Sequence, residues 1–220
     1  MPIALAELDK TILIPPGAQA PLRGRDTVCE ELFADKEAAE DGLKQDAKAI
    51  DELQDKLWGE RRRALLVVLQ GIGKDGTVRG VFGRSGPLGV SVTAFGKPSE
   101  EELAHDYLWR VHKAAPKKGM IGVFNRSHYE DVLVVKVRKL APAAAIEQRY
   151  AQINAFEQLL TENGVTILKF MLHISKEEQR ERLQERLDDP AQHWKFNPGD
   201  LEDRKLWDEF HAAYDTLLER

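Results

Sequence analysis

One short segment constrains this chain more than any other, because an apolar run ends in glycines that a lysine and a threonine follow. Residues 64–70 are apolar apart from the last, which predicts a strand buried on both faces of a sheet. The chain then continues through Gly71, Gly73, Lys74 and Thr77. Glycines let backbone N–H groups approach a phosphate, and the positive end of a following helix favours the same anion. The segment therefore predicts a phosphate-binding turn, in which Lys74 reaches the outer phosphates and Thr77 holds a magnesium ion.

This turn is shorter than the usual phosphate-binding loop, which has four residues between its first glycine and its Gly-Lys pair. Only Ile72 separates Gly71 from Gly73 here. The alternative interpretation is a tight connection between a strand and a helix that leaves Lys74 exposed to solvent.

The composition excludes several classes of protein. The chain has 220 residues, of which 42% are hydrophobic and 31% charged, enough for one α/β domain with a core. No apolar run approaches the roughly 20 residues of a membrane helix, and the N-terminal residues lack the pattern of a secretory signal. The single cysteine, Cys29, cannot form an intrachain disulfide, so we expect a cytoplasmic protein. A net charge of −5 argues against nucleic-acid binding and requires a local basic cluster for any polyanionic substrate.

Strand and helix patterns alternate along the rest of the chain. Further strands are predicted over residues 89–95, 120–124 and 165–173. Helices are predicted over 31–63, from Lys74, from Ser99 to Lys113, along the stripe from Ile146 to Leu160 up to Gly164, from Ser175, and over 200–220. Such alternation predicts an α/β fold with a parallel sheet and helices on both faces, in three layers. Residues 1–30, which hold several prolines and glycines, are interpreted as an arm that lies on another surface.

A second set of candidate residues follows the third predicted strand, and ligands of such sheets bind beyond the carboxyl ends of the strands. Arg126 carries a planar guanidinium that matches phosphate oxygens. Glu130 and Asp131 offer the oxygen ligands that magnesium prefers. The alternative is a helix N-terminus whose acids complement the helix dipole. Combined with the first motif, the functional interpretation is favoured.

A third candidate is the segment from Lys176 to Trp207, where a break at residues 188–190 separates two predicted helices. Its basic residues include Lys176, Arg180, Arg182, Arg186, Lys195, Arg204 and Lys205. A helix, a break and a second helix with cations are typical of a lid that closes over phosphates. Because the segment also contains many acids, a solvated helix with ion pairs four residues apart stays the alternative.

The histidines do not form a zinc or triad site. His105 and His112 share a predicted helix face with Trp109, but no carboxylate or cysteine completes a zinc site there. His128, beside Arg126, is a minor candidate for a general base. No Ser-His-Asp or Cys-His set stands out in the sequence.

Several blocks, in this order, resemble the second family of polyphosphate kinases between about residues 63 and 220. They are residues 73–79, 89–93, 98–106, 108–110, 124–133 and 175–180. The resemblance implies a P-loop kinase fold with a helical lid at about 175–207. It also implies magnesium-dependent phosphoryl transfer between inorganic polyphosphate and a nucleotide. Residues 125–131 are similar to the subgroup that phosphorylates both AMP and ADP.

Carried over by motif, the resemblance implies three groups of site residues. Phosphoryl transfer would use Lys74, Arg126, Glu130 and Arg180. The metal, Mg²⁺ or Mn²⁺ in its place, would be held by Thr77, Glu130 and Asp131. Phosphates and nucleotide would contact Gly73, Lys74, Gly76, Thr77, Lys97, His105, Asp106, Arg110, Arg186 and Lys195. Catalysis would then consist of positioning and charge neutralisation.

The chain departs from the family pattern in its phosphate loop, Gly-x-Asp-x-x-Gly-Lys, because the aspartate and two neighbours have no counterpart here. Either the loop is shortened, which favours an inactive phosphate- or nucleotide-binding module, or the natural chain has residues that this sequence omits. An ATP-dependent nucleoside monophosphate kinase is a further alternative. Residues 1–62 are predicted to pack, as arm and amphipathic helix, on the domain over 63–220 or on a second subunit. In the family, the pattern continues with a further short segment after the position of Arg220. The resemblance separately implies a homo-oligomer.

Overall fold

Parallel strands alternate with helices along the chain, as the sequence predicts. The computed structural model describes residues 12–15, 17–19, 22, 24–28, 33–71, 74–86 and 88–220. The strands are β1 (Ala64–Gly71), β2 (Val90–Ala94), β3 (Ile121–Asn125) and β4 (Val165–Leu172). The α-helices are α1 (Lys36–Glu60), α2 (Lys74–Phe82), α3 (Glu100–Leu103), α4 (Trp109–Ala114), α5 (Val134–Val137), α6 (Ala143–Glu162), α7 (Lys176–Asp188), α8 (Pro198–Lys205) and α9 (Trp207–Glu219). Two 3-10 helices cover His128–Asp131 and Pro190–Lys195.

The four strands form one parallel sheet in the order β2-β3-β1-β4. In the register, Leu69 of β1 pairs with Asn125 of β3, and Gly71 pairs with Leu172 of β4. The carboxyl ends of these three strands therefore meet at one edge of the sheet, where ligands of such folds bind.

The sheet is the middle of three layers, because successive side chains of a strand point to opposite faces. On one face, Leu66 and Val68 of β1 pack in a core with side chains of α4, α6 and α9. On the other face, Val67 and Leu69 pack against side chains of α1 and α2. Every residue of β1 is buried except Leu65, which is intermediate. The predicted parallel, three-layer α/β fold is thus confirmed.

The predicted helix from Ser99 to Lys113 is wrong as a single element. Its start is as predicted, because Ser99 and Glu102 form a capping box. After α3 the chain leaves the helix, and Asp106 Oδ1 accepts a hydrogen bond from the backbone N–H of Leu108 at 3.0 Å. Such local bonds from an aspartate side chain compete with helical bonding, so α4 begins only at Trp109.

The predicted last helix, over residues 200–220, is also two helices. The first begins at Pro198, where the Asn197 side chain accepts from the backbone N–H of Gly199 at 2.9 Å. The second begins after a break at Leu206. Because α8 and α9 are separate, the lid segment can end at the break while α9 packs on the sheet.

Capping residues set several helix boundaries: the end of α6 and the start of α7 agree with the sequence, whereas α1 is shorter than the helix predicted over 31–63. α1 begins after Asp35, whose side chain accepts from the N–H of Ala38 at 2.8 Å. α6 ends at Asn163, and Gly164 then adopts a φ of 87°. Ser175 caps α7 by accepting from the N–H of Glu178 at 3.0 Å. None of the described helices is long and apolar enough to cross a membrane.

Most of the predicted arm, and residues 31–32 of the first predicted helix, lie outside the described residues. Within the described part, Leu22 is 5% exposed. Its backbone N–H donates to Asp215 Oδ1 at 2.8 Å, which places this residue of the arm against α9.

Candidate active site

The turn after β3 brings Arg126 next to the end of β1. The backbone N–H of Arg126 donates to the carbonyl oxygen of Leu69 at 3.0 Å, one residue beyond the last pair of the register. Arg126 has a φ of 63°, which lies in the left-handed region that side chains other than glycine rarely adopt. Its side chain is exposed. This strained turn therefore presents a guanidinium at the edge of the sheet where β1 ends.

Lys74 lies at the same edge and is electrostatically coupled to Arg126. It is the first residue of α2, and its Nζ donates to the carbonyl oxygen of Gly71. Burial and the neighbouring positive charge of Arg126 lower the pKa of Lys74 to about 8, although Glu130 opposes the shift. Two cations that destabilise each other in this way form a site that an anion would stabilise. The sequence prediction that Lys74 and Arg126 face one shared anion is consistent with this geometry.

Glycines make the turn between β1 and α2 compatible with a close approach of the chain. Gly71 has a φ of 101°, and a Cβ there would lie 2.4 Å from the carbonyl oxygen of Leu172. Gly76, in the first turn of α2, has no atom within 4 Å of the position of a Cβ. Ile72 and the predicted phosphate contact Gly73 lie outside the described residues.

Hydrogen bonds from β1 hold the carboxylate of Glu130 at this edge. Gln70 is 5% exposed, and its Nε2 donates to Glu130 Oε1 at 3.0 Å. Ser127, which is fully buried, donates from its hydroxyl to Gln70 Oε1 at 3.4 Å. Because Gln70 and Ser127 are both buried, the direction of the Glu130 side chain is fixed by the core and not by solvent.

A second polar contact joins α2 to β3. Asn125 Nδ2 donates to Asp75 Oδ1 at 2.6 Å. The contact ties the residue after Lys74 to the residue before Arg126. The two cationic side chains are therefore linked through their neighbours as well as through their charges.

Tyr214 of α9 belongs to the site, and the sequence analysis missed it. Burial and the negative charge of Glu130 raise the pKa of its hydroxyl, whereas a backbone hydrogen bond with Gly71 and the charge of Arg126 oppose the shift. Tyr214 is therefore hydrogen-bonded to Gly71 and lies close to the charges of Glu130 and Arg126. No local pattern in the sequence marks it, since a tyrosine on the apolar side of a helix is usually a core residue.

Asp131 and His128, also singled out in the sequence, point into the protein. Arg149 Nη1 of α6 lies 3.3 Å from Asp131 Oδ1 and donates to its carbonyl oxygen at 2.9 Å. Burial raises the pKa of Asp131, although the charges of Arg149 and Arg110 oppose this. His128 has no exposed surface, so it cannot reach a substrate as a general base.

The few oxygen ligands near this edge suit a metal ion that is bound together with the phosphates of a substrate. Among the described residues, no group of three or more His, Cys, Asp or Glu side chains could hold a metal ion. Magnesium commonly uses one or two carboxylates, several waters and the phosphates of the substrate. Glu130 offers a ligand of that type and Asp131 is engaged with Arg149, whereas Thr77 lies in the first turn of α2 and stays a predicted ligand.

The segment 175–207, which the sequence analysis predicts to be a lid, contains α7, the 3-10 helix Pro190–Lys195 and α8. Arg186 of α7 donates to Asp200 Oδ2 of α8 at 3.1 Å. Asp200 is also among the charges that raise the pKa of Lys74, so the start of α8 lies near the turn. Arg204 donates to Gln179 Oε1 at 3.0 Å and to the carbonyl oxygen of Lys176, which joins the two lid helices.

Two other predicted lid residues lie at the surface of the lid. Arg180 is 63% exposed, and its nearest acidic partner is Glu181 at 3.9 Å. Lys195 Nζ lies 5.3 Å from the ring centre of Trp194. Neither side chain contacts the turn between β1 and α2 in this conformation of the described residues.

The residues predicted to face a nucleotide cluster around β2, α3 and α4. Lys97 is exposed just after β2. Arg110 is 8% exposed, donates to the carbonyl oxygen of Gly96 at 3.0 Å and lies 3.6 Å from Glu102. The ring of His105 stacks on Trp109 with 4.1 Å between centres.

A cavity of about 340 Å³ opens beside this cluster. Asp106, Trp109 and Phe156 are among the residues that line it. Asp106 lines this cavity, His105 stacks on Trp109 in its wall, and Arg110 is bonded to the carbonyl oxygen of Gly96, the residue before Lys97. Contact of these four residues with a nucleotide stays a prediction.

Comparisons with known proteins decide the family. The model of the family polyphosphate kinase 2 matches residues 33–220. The chain belongs to the polyphosphate kinase 2 family. An AMP/ADP-polyphosphate phosphotransferase of Meiothermus ruber is 53% identical over 186 residues, which cover 83% of this chain and 70% of that protein. An ADP-polyphosphate phosphotransferase of Rhodopseudomonas palustris is 39% identical over 207 residues, which cover 87% of this chain and 72% of that protein.

Solved structures support the same fold. The crystal structure of polyphosphate kinase 2 from Arthrobacter aurescens has a TM-score of 0.88 and 43% identity, and the match covers 96% of this chain and 76% of that one. A putative polyphosphate kinase 2 from Pseudomonas aeruginosa has a TM-score of 0.81 and 30% identity, with 88% of this chain and 42% of that one covered. The family and the P-loop kinase-like fold that the sequence indicated are both confirmed.

Proposed function

We propose that this chain transfers phosphoryl groups between inorganic polyphosphate and AMP or ADP. The observation that carries the proposal is the position of Lys74 and Arg126 at one edge of the sheet, where burial and the charge of Arg126 lower the pKa of Lys74. A polyanion relieves this repulsion, because it places negative charge near both groups. The names of the relatives from Meiothermus ruber and Rhodopseudomonas palustris support this substrate pair.

The reaction assigned to this edge is an in-line transfer between bound phosphates. Lys74 and Arg126 hold the phosphates and neutralise the charge of the group in transit. Glu130 and Thr77 would hold Mg²⁺, or Mn²⁺ in its place, which supplies further neutralisation when bound. The attacking phosphate oxygen of AMP or ADP is largely ionised at neutral pH, since its second pKa is about 6. No general base is therefore needed, which agrees with the burial of His128.

The remaining predicted residues are assigned supporting roles. Backbone N–H groups at Gly73 and Gly76 would contact phosphates. Lys97, His105, Asp106 and Arg110 would line the nucleotide side. Arg180, Arg186 and Lys195 would close on the polyphosphate with the lid. Asp131 stays a prediction as a metal ligand, against which its contact with Arg149 argues.

A coupled assay tests this function directly. AMP or ADP is offered with either polyphosphate or ATP, each with and without Mg²⁺. We expect phosphorylation with polyphosphate that depends on the metal. Transfer from ATP alone would instead identify an ATP-dependent nucleoside monophosphate kinase, an alternative that the relatives do not favour.

The short loop motivates a second test, since an inactive binding module is the other alternative. The intact mass of the purified protein shows whether residues are present between Gly71 and Lys74 beyond those in the sequence. A mass equal to that of the sequence, together with no turnover, would favour the inactive module.

Cytoplasmic location, homo-oligomeric assembly and the division at residue 63 stay predictions. Light scattering tests the assembly.

A further inference from the structure

The segment that carries Arg126 and Glu130 has a buried inner side that the proposed chemistry does not use. Arg126 precedes the 3-10 helix His128–Asp131, and Glu130 lies within it. On the inner side, His128 is 0% exposed and Tyr129 is 7% exposed. Both of these side chains contact the carboxylate of one residue of α6, Glu157.

Glu157 accepts hydrogen bonds from three residues. Its Oε1 lies 3.1 Å from His128 Nε2 and also accepts from the hydroxyl of Tyr129. Its Oε2 accepts from Lys169 Nζ of β4 at 2.8 Å. The Glu157 side chain is only 12% exposed, so these bonds are little weakened by solvent. The carboxylate therefore has one well-defined position between α6, β4 and the 3-10 helix.

The other side of the segment is fixed to β1. Ser127 donates to Gln70, and Gln70 donates to Glu130 Oε1 at 3.0 Å. On the inner side of the segment, the hydrogen bonds of Glu157 with His128 and Tyr129 have the same role as the bond between Gln70 and Glu130. Held from both sides, the backbone keeps Arg126 in its left-handed conformation, with a φ of 63°.

We propose that Glu157 is a positioning residue of the transfer reaction: it holds His128 and Tyr129 so that Arg126 and Glu130 meet the phosphates and the metal. The inference rests on the proposed function, because it requires Arg126 and Glu130 to act on the substrate. A displacement of about 1 Å in such groups lowers a rate by up to about a hundredfold. Glu157 itself lies behind the segment and does not touch the reacting groups.

The main variant is Glu157→Gln, which keeps the size of the side chain. The amide has one oxygen, so its NH₂ group faces either Lys169 or the pair His128 and Tyr129, and the side chain cannot accept hydrogen bonds from all three residues. We expect kcat to fall about ten- to hundredfold, as for other residues that support a metal site. The KM values for nucleotide and polyphosphate should change less than about threefold, since binding groups remain. The Mg²⁺ concentration for half-maximal rate should rise, because Glu130 is displaced.

Two further variants serve as controls. Lys169→Met removes the donor to Oε2 and to the Tyr129 hydroxyl, but it leaves the contacts of His128 and Tyr129 with Oε1, so kcat should stay within about threefold. Gln158→Ala changes the next residue of α6, whose exposed side chain donates to Glu162, and should have no effect. A loss in Lys169→Met as large as that in Glu157→Gln would overturn the proposal, because the contacts of Oε1 with His128 and Tyr129 would then not be what holds the segment.

Amide hydrogen exchange tests the same proposal without activity. In Glu157→Gln we expect faster exchange over residues 126–133 and unchanged exchange in β1. Unchanged exchange over 126–133 with kcat within about twofold would overturn it, as would faster exchange throughout β1 and β3, which shows general destabilisation. An inactive wild-type protein would refute the proposed function and with it the positioning role, whereas the exchange data would still show whether Glu157 fixes the segment.

Discussion

The proposed site has two walls, which are residues 126–131 after β3 and the predicted lid over 175–207. The two walls are held in different ways. The wall after β3 is fixed by buried hydrogen bonds, and its His128 side chain has no exposed surface. The lid is held by ion pairs at the surface: the side chains of Arg186 and Asp200 are 25% and 30% exposed, and those of Arg138 and Asp203 are 40% and 36% exposed.

From this difference we predict that the wall after β3 is the more rigid one and that the lid moves. Exposed ion pairs contribute about 0–1 kcal/mol and are screened by salt, whereas buried charge-assisted bonds are not. A polyanion that enters the site can therefore compete with Asp200 for Lys74 and Arg186 without disturbing the wall after β3. The chemistry needs one fixed set of groups, and the lid needs to open for the substrate.

The largest expected effect tests the fixed wall at Arg126. Arg126→Ala removes the guanidinium that stabilises the group in transit, and we expect kcat to fall about a thousandfold, the scale of comparable arginines. Steady-state assays with polyphosphate and ADP measure it. Arg63→Ala, at an exposed arginine bonded to Glu60, is the control and should be silent. A fall in kcat of less than about tenfold would mean that Arg126 does not contact the transferred phosphate.

The next effect concerns pH, because the pKa of Lys74 is lowered to about 8. Below this pH the ammonium is present and binds phosphate. Above it the lysine loses its proton, so affinity for inorganic triphosphate should fall up to about tenfold per pH unit. Calorimetry between pH 7 and about 9.5 measures the affinity, and binding above pH 8 should take up a proton.

The variant Lys74→Arg distinguishes deprotonation of Lys74 from deprotonation of triphosphate, since an arginine keeps its charge throughout this pH range. The variant should bind with a much flatter pH profile. An equally steep fall in the variant would show that the ligand, and not Lys74, is responsible.

A smaller effect is expected at Tyr214, which lies near Glu130 of the wall after β3 and is hydrogen-bonded to the backbone of Gly71. Tyr214→Phe removes one buried hydroxyl, and we expect kcat to fall about three- to tenfold, the equivalent of one hydrogen bond. The control is Tyr150→Phe, because the buried Tyr150 hydroxyl has no hydrogen-bond partner in the described part of the chain. Equal effects of the two variants would remove Tyr214 from the site.

The smallest effect tests the lid. Asp203→Asn breaks the pair with Arg138, and we expect the KM for polyphosphate to change by at most about fivefold at low salt and not at all in about 1 M salt. Glu202→Gln changes the preceding residue of α8, whose side chain pairs with Lys205 of the same helix, and should be neutral. A change in KM that persists in high salt would contradict the view that surface ion pairs hold the lid.

Local sequence patterns were enough to predict the class of fold. Continuous apolar runs and capping residues are local features, so they predicted β1, the end of α6 and the cap of α7 at Ser175, whereas α1 is shorter than the helix predicted over 31–63. The glycine-rich turn and the residues after β3 could be paired because parallel strands end at one edge. The continuous helices predicted from Ser99 and over 200–220 were wrong, because Asp106 bonds locally and the chain breaks at Leu206.

The contacts that support the site depend on how distant segments of the chain pack together. Glu157 and Tyr214 lie on α6 and α9, far along the chain from Arg126, and each is an ordinary helix residue by its local pattern. The orientation of Asp131 toward Arg149 likewise depends on a partner 18 residues away. Local propensity and periodicity report what one segment prefers, whereas the partner of a buried polar group is set by which segments the fold packs together.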